Sequence, residues 1–288
     1  MVRKVILIFI IGINILSLDA LKGQSYASLI DINHAEYLYQ QGNYDAALIE
    51  FLRCNYFRVK SDTIDVSKRI SDLFLQKGDF KKALNYLDRW YFENINNEEK
   101  KFEAIISKTR IHTMSNDYNT AIIELLQLPE TDKSAVNDRV KYYLFINYLL
   151  SNNIQDATKY GFDLSYMNES EKNELSILLK NYQKIIKKNP NHAALLSSII
   201  PGLGQMVNGD VKDGLISLAV VGGLAILFID VTRSLSFQDA AFSITPWLVR
   251  YHIGGLNNAK NQAKRNIEKK KLEIISQINQ SLMKAVAN

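Results

Sequence analysis

The sequence predicts an all-α protein: an array of helical hairpins, then a hydrophobic helical hairpin, then a basic amphipathic C-terminal helix. Two observations carry this. A pattern, Gly/Asn-x-aromatic/Ile-x-x-Ala, recurs along the first half of the chain. It reads Gly42-Asn43-Tyr44-Asp45-Ala46-Ala47, then Gly78-Asp79-Phe80-Lys81-Lys82-Ala83. It continues as Asn116-Asp117-Tyr118-Asn119-Thr120-Ala121 and Asn152-Asn153-Ile154-Gln155-Asp156-Ala157. The steps of 36, 38 and 36 residues lie in the range that marks a helical repeat array. The second half instead carries long apolar runs flanked by lysines, the composition of a membrane-facing segment.

Hydrophobic content of 47% with 23% charged residues is that of a folded chain and argues against wholesale disorder. The charge is divided: residues 26–170 carry a net −4 and residues 171–288 a net +7, with +2 in the first 25 residues. A basic half beside apolar runs suggests an anionic membrane surface rather than nucleic acid, and no nucleic-acid recognition motif accompanies it. The single cysteine, Cys54, excludes an intramolecular disulfide. It falls where a repeat helix wants a small buried side chain.

At the N-terminus, Met1-Val2-Arg3-Lys4 precedes a mostly apolar run from Val5 to Leu18 and a polar stretch, Asp19 to Ser25. That order predicts a signal peptide over residues 1–25, cleaved near Gly23 to Ser25, with an uncleaved N-terminal anchor as the alternative. Either places residues 26–170, the repeats, outside the cytoplasm.

Within each expected hairpin a first helix ends at the Gly or Asn, and a second carries the Ala. The pairs are 31–41 with 44–57, 64–77 with 80–92, 102–115 with 118–128, and 136–151 with 154–166. Gly42 and Gly78 suit a tight turn that favours a residue without a Cβ, and Asn116 and Asn152 are the next most tolerant. The aromatics Tyr44, Phe80 and Tyr118, with Ile154 in the fourth copy, are expected to fill the hairpin. Ala47, Ala83, Ala121 and Ala157 let its helices approach. Four residues on, Phe51, Leu87 and Leu125 extend the buried face, whereas Gly161 does not. On these residues the segment resembles the tetratricopeptide repeat over roughly residues 28–166. The copies at Gly42/Tyr44/Ala47/Phe51 and Gly78/Phe80/Ala83/Leu87 are the closest. The resemblance implies a right-handed superhelix whose groove takes a peptide or helix of a protein partner. A plain helical scaffold is the rival reading, and no ligand residue is assigned.

Residues 171–192 read as a linking helix that stops at Asn189-Pro190-Asn191. Residues 193–258 form a membrane-associated module. Gly214 to Val231 is almost wholly apolar, but its length is slightly short of a hydrocarbon core, so a tightly packed buried helix is the rival to a span. Gly222-Gly223 at its middle would admit another helix. A weaker apolar stretch from Ala240 to Leu256 holds Trp247, Arg250 and Tyr251, as at an interface. The two form a hairpin with a polar turn at 230–239, or else one span and an interfacial helix. Pro201-Gly202-x-Gly204-Gln205-x-x-x-Gly209, with Gly214 opening the apolar helix, resembles a two-span bacterial membrane module that often follows tetratricopeptide repeats. Val207 stands where that module has Tyr, and the module implies no chemistry. Pro201 and the glycines would bend the backbone, and Gln205 would satisfy groups freed by the bend. Residues 259–288 predict a basic amphipathic helix. Its Ile267, Ile274, Ile278 and Leu282 would lie on lipid headgroups or dock on a partner helix.

No catalytic, metal or cofactor constellation is legible. His34, His112, His192 and His252 are scattered, and neither an HExxH nor a Gly-x-Ser-x-Gly pattern occurs. The expected function is a non-enzymatic, exported, membrane-associated adaptor in the cell envelope, using no cofactor and no metal. Its partners are a protein and membrane lipid, without nucleic acid. The alternative is an envelope assembly or insertion factor whose membrane module is the working part. One tension stands: basic flanks on both sides of the apolar hairpin, against Arg233 alone in its turn, favour a cytoplasmic placement of those flanks.

Overall fold

The computed structural model describes residues 31–287, so the expected signal peptide lies outside the described residues. Among them every regular element is a helix, and the chain is all-α. It divides into two compact units between Asn153 and Ile154, a division that falls inside the fourth copy of the repeat pattern.

The first unit holds α1 (Ile32–Gln40), α2 (Tyr44–Tyr56), α3 (Val66–Gln76), α4 (Phe80–Glu93), α5 (Glu98–Met114), α6 (Tyr118–Leu126) and α7 (Ser134–Leu150). Each packs on its sequence neighbour. The turns explain this order. Gly42, Gly78, Asn116 and Asn152 take positive φ of 76°, 72°, 62° and 64°. At each, the next amide reaches back five residues, as in Asn43 N–H to the Leu38 carbonyl at 3.0 Å and Asp117 N–H to the His112 carbonyl at 2.8 Å. That bond closes the preceding helix and satisfies a terminal carbonyl. The same residue then starts the following helix: the side chains of Asn43, Asp79 and Asp117 accept the amides of Ala46, Lys82 and Thr120. Two residues therefore end one helix, reverse the chain and cap the next.

The core follows from the small residue placed after each turn. Ala47, Ala83 and Ala121 are fully buried, with Phe51, Leu87 and Leu125 buried four residues on. Ile70, Leu73, Phe74 and Trp90 fill in around the first two turns. Cys54 is a free, buried thiol whose pKa is raised by that burial.

The second unit holds α8 (Ile154–Phe162), α9 (Glu169–Ile186), α10 (Asn191–Ile199), α11 (Leu203–Val207), α12 (Val211–Ser234), α13 (Phe237–Ser243) and α14 (Thr245–Ala287). Here the structure differs from expectation. No break separates the second apolar stretch from the basic helix: both belong to α14, 43 residues long. Gly254-Gly255 and Asn257-Asn258 lie within its continuous run of helix. α14 is the spine against which α9, α10, α11, α12 and α13 pack. Its apolar face, with Ile275, Ile278 and Leu282 buried, is therefore covered within this chain. Leu175, Leu179 and Tyr182 are the buried side chains of α9, which packs against it.

Candidate functional site

Two places merit a functional reading, one in each unit. In the first, ties between side chains nearly one repeat period apart bind equivalent helices. The Arg69 guanidinium (α3) donates twice to the Glu36 carboxylate (α1), at 2.6 and 2.9 Å. Lys100 reaches Asp65 at 3.0 Å, Arg89 reaches Asn55 at 2.7 Å and Thr113 donates to Asn147 at 2.8 Å. Arg139 (α7) clasps Glu103 (α5) with both terminal guanidinium nitrogens. Lys108 on α5 joins Asp88 on α4 at 2.9 Å and Glu124 on α6 at 2.7 Å. Burial opposes its charge, but bonds to Glu124 and Asp88 outweigh this and raise its pKa. These residues are committed to holding the array together. Tyr44 is more exposed than a hairpin-filling ring would be and meets Tyr39 edge-on at 5.8 Å. A cleft of about 870 Å³ opens beside the 57–65 connection, with Arg58, Lys60 and Asp62 on its lining.

In the second unit the Pro-Gly-x-Gly-Gln residues form a packed knot. Pro201 drives Ile200 into an extended conformation (φ −126°, ψ 111°) and so ends α10. Gly202 follows at φ 88° and its position admits no side chain: a Cβ there would stand 2.0 Å from the Gly214 carbonyl oxygen. On Gly204 a Cβ would stand 1.9 Å from the Ala193 carbonyl oxygen, and on Gly214 it would stand 2.4 Å from the Met206 side chain. Three glycines thus allow α10, α11 and α12 to meet at backbone contact. The buried Gln205 holds this knot to the spine. Its amide donates to the Gly255 carbonyl of α14 at 3.3 Å, and its oxygen accepts from the Ser197 hydroxyl at 3.4 Å. The Gly204 amide is satisfied by Ser197 at 2.9 Å. Gln205 therefore bridges to a helix fifty positions away, while Ser197 caps the bend itself. Neither role of Ser197 nor the partner of Gln205 is legible from the local motif.

Gly209 supplies a turn that the sequence pattern missed. With φ 95°, and with the Asp210 amide reaching back to the Gln205 carbonyl at 3.0 Å, it repeats the turn of the first unit. Asp210 caps α12 through the Asp213 amide, and Gly214 occupies the small-residue position. The signal was present as Gly209-Asp210-Val211-Lys212-Asp213-Gly214, with Val and Gly in place of the aromatic and the alanine. Gln262 and Asn266 of α14 bind Asp210 and the Asn208 carbonyl, each at 2.8 Å, and fix this turn to the spine.

Beyond the knot the apolar surface is uncovered. α12 has 24 residues, about 36 Å of helix, long and apolar enough to cross a membrane, yet only 11% of its most apolar window is buried. Ile226 is 70% and Phe242 of α13 84% exposed. Close approach between α12 and α14 occurs at Gly255, where a Cβ would lie 2.8 Å from the Ser217 hydroxyl. Gly222 and Gly223 face open space instead, so the expected helix contact at that pair is absent among the described residues. Trp247 and Tyr251 stack at 6.5 Å, with Arg250 over the Trp247 ring at 6.0 Å.

Among the described residues no three His, Cys, Asp or Glu side chains come together as metal ligands would. No protein-family model, curated protein or solved structure matches the chain.

Proposed function

We propose that the chain is a membrane-anchored adaptor, in which a tetratricopeptide-type array engages a protein partner and the glycine-knotted module holds it to lipid. One observation carries the reading: α12 is long enough to span a bilayer and leaves most of its apolar surface outside the protein. An apolar surface of that extent in water is strongly unfavourable, and lipid is the solvent it suits. The reading of the first unit rests on its repeated turns and one-period ties. Its exposed Tyr44 and the cleft beside 57–65 are open to a peptide or helix. The proposed location is the cell envelope, with the repeats on the outer side of the membrane, from the signal-peptide order of the first 25 residues.

The rival, an assembly factor worked by the module itself, draws less support. Each motif glycine at 202, 204 and 214 is accounted for by packing, and Gln205 by its bridge to α14. The test uses the full chain with one tag in the 94–97 loop and another after Asn288. Protease added to osmotically opened cells should remove the first tag while the cytoplasm is still sealed. Protection of both tags would place the repeats inside and reject the envelope location. Release of the chain by alkaline carbonate would reject the anchor.

A further inference from the structure

In the second unit, the end of α9, the start of α10 and the middle of α14 line a cavity of about 500 Å³ that is open to solvent. Lys187, Lys188, His192 and Lys270 stand on its lining, and no carboxylate does. Among the described residues none of these four has an acidic partner, although Lys271 next along α14 is paired with Glu268 at 3.2 Å. Lys187, Lys188 and Lys270 are exposed, so water screens their repulsion, and an anion seated among them would gain from all three charges. Asn189 adds a polar edge.

The rest of the lining is mostly apolar: Ala193 and Ala263, which are buried and belong to one cluster, with Leu196 and Val207. Val207 itself is exposed, as are Leu195, Ile199 and Val211 around it. Height can be counted along the spine. Gly255 lies level with Ser217, three residues inside the apolar run that opens at Gly214. Eight residues further, Ala263 stands about 12 Å up the helix, or about 8 Å above the start of that run. The headgroup layer on each side of a bilayer is roughly 5–8 Å thick, so Ala263, on the lining of the cavity, lies at its level.

We propose that this cavity binds the phosphate headgroup of an anionic membrane lipid. Lys187, Lys188 and Lys270 contact the phosphate, and Leu196 and Val207 contact the first acyl carbons. The assignment rests on the membrane reading above and adds a defined lipid class and site. A soluble anion would use the lysines but not the apolar lining.

The test is native mass spectrometry of the full chain in neutral detergent with equal amounts of phosphatidylglycerol and phosphatidylcholine. One phosphatidylglycerol should be retained in preference. The triple variant Lys187→Gln/Lys188→Gln/Lys270→Gln should lose about fivefold in affinity per lysine, roughly a hundredfold in all. The variant Lys260→Gln/Lys264→Gln/Lys269→Gln removes the same charge away from the cavity and should keep the preference. Equal loss in both variants would reduce the effect to diffuse surface charge and overturn the site. Inorganic phosphate binding as tightly as phosphatidylglycerol would overturn the lipid assignment in favour of a soluble anion. Flotation on pure phosphatidylcholine vesicles separates the two proposals. A chain that fails to float defeats the membrane reading, whereas one that floats without any phosphatidylglycerol preference defeats only this inference.

Discussion

A methyl group at residue 204 should be far more damaging than one at residue 223, although both are helical glycines. The Cβ of Gly204→Ala would fall 1.9 Å from the Ala193 carbonyl oxygen and 2.6 Å from the Ser197 hydroxyl. Backbone cannot step aside as the end of a flexible side chain can, so α10 and α11 must separate. Overpacking of this kind costs about 1–3 kcal/mol. Separation also weakens the 2.9 Å bond from the Gly204 amide to Ser197, worth about 1 kcal/mol. Alanine returns about 1 kcal/mol in helix propensity. The net is a loss of about 2 kcal/mol, or roughly 4–8 °C in the melting midpoint for a chain of this size. Gly223→Ala meets nothing within 4 Å and should raise the midpoint by up to about 4 °C through propensity alone. Circular dichroism melts of both full-length variants in the same mild detergent measure the difference. Equal behaviour of the two, or destabilisation by Gly223→Ala alone, would refute the knot and move the close helix contact to the 222–223 pair.

In the repeats, Asn116→Gly should leave the midpoint roughly unchanged, because relief of the positive φ of 62° offsets loss of the 2.7 Å hydrogen bond from the Tyr118 hydroxyl to the Asn116 side chain. Gly42→Ala and Gly78→Ala should each cost about 1 kcal/mol, because φ stays positive although the surrounding space is open. Lys108→Met should destabilise, since Asp88 and Glu124 lose their shared cation and Glu124 is largely buried; a melt at neutral pH reads it. The pKa of Asp79 is held down by hydrogen bonds from Lys82, and that of Asp117 chiefly by the Thr120 hydroxyl. A depressed carboxylate stabilises above its unfolded value near 3.9 and loses that contribution as pH falls through the folded value. Unfolding stability should therefore decline below about pH 4, less steeply in Asp79→Asn/Asp117→Asn. The raised Lys108 works on the other side, full below its unfolded value near 10.4 and lost as pH climbs through the folded one.

The turns were readable because their chemistry is local. A positive φ must be carried by glycine or asparagine, and the cap must follow at once, so Gly42-Asn43 and Asn116-Asp117 announce themselves. The buried alanines at fixed offset are legible for the same reason. The same turn at Gly209-Asp210 escaped because its aromatic and alanine are replaced by Val211 and Gly214. What was not legible depends on residues far apart. Gln205 finds its partner at Gly255, and Gly202 and Gly204 are required by backbone from α12 and α10. One helix runs through residues 258 and 259: Gly254, Gly255, Asn257 and Asn258 weaken it by propensity, whereas packing of α14 on its neighbours carries it through. The basic helix was expected to meet lipid or a partner, yet its apolar face is already satisfied by α9.

The central claim, that the uncovered face of α12 is solvated by lipid, can be tested at a single position. An environment-sensitive fluorophore is attached to Ile226→Cys in the full chain, where the native Cys54 is fully buried. A second sample carries it on Tyr56→Cys, a site 79% exposed on the repeats. Both are mixed with vesicles containing acyl-brominated lipid. The account predicts a blue shift and strong quenching at 226 and neither at 56. A probe at 226 that is unquenched and unshifted with vesicles would contradict it and assign the surface of α12 to contact with protein.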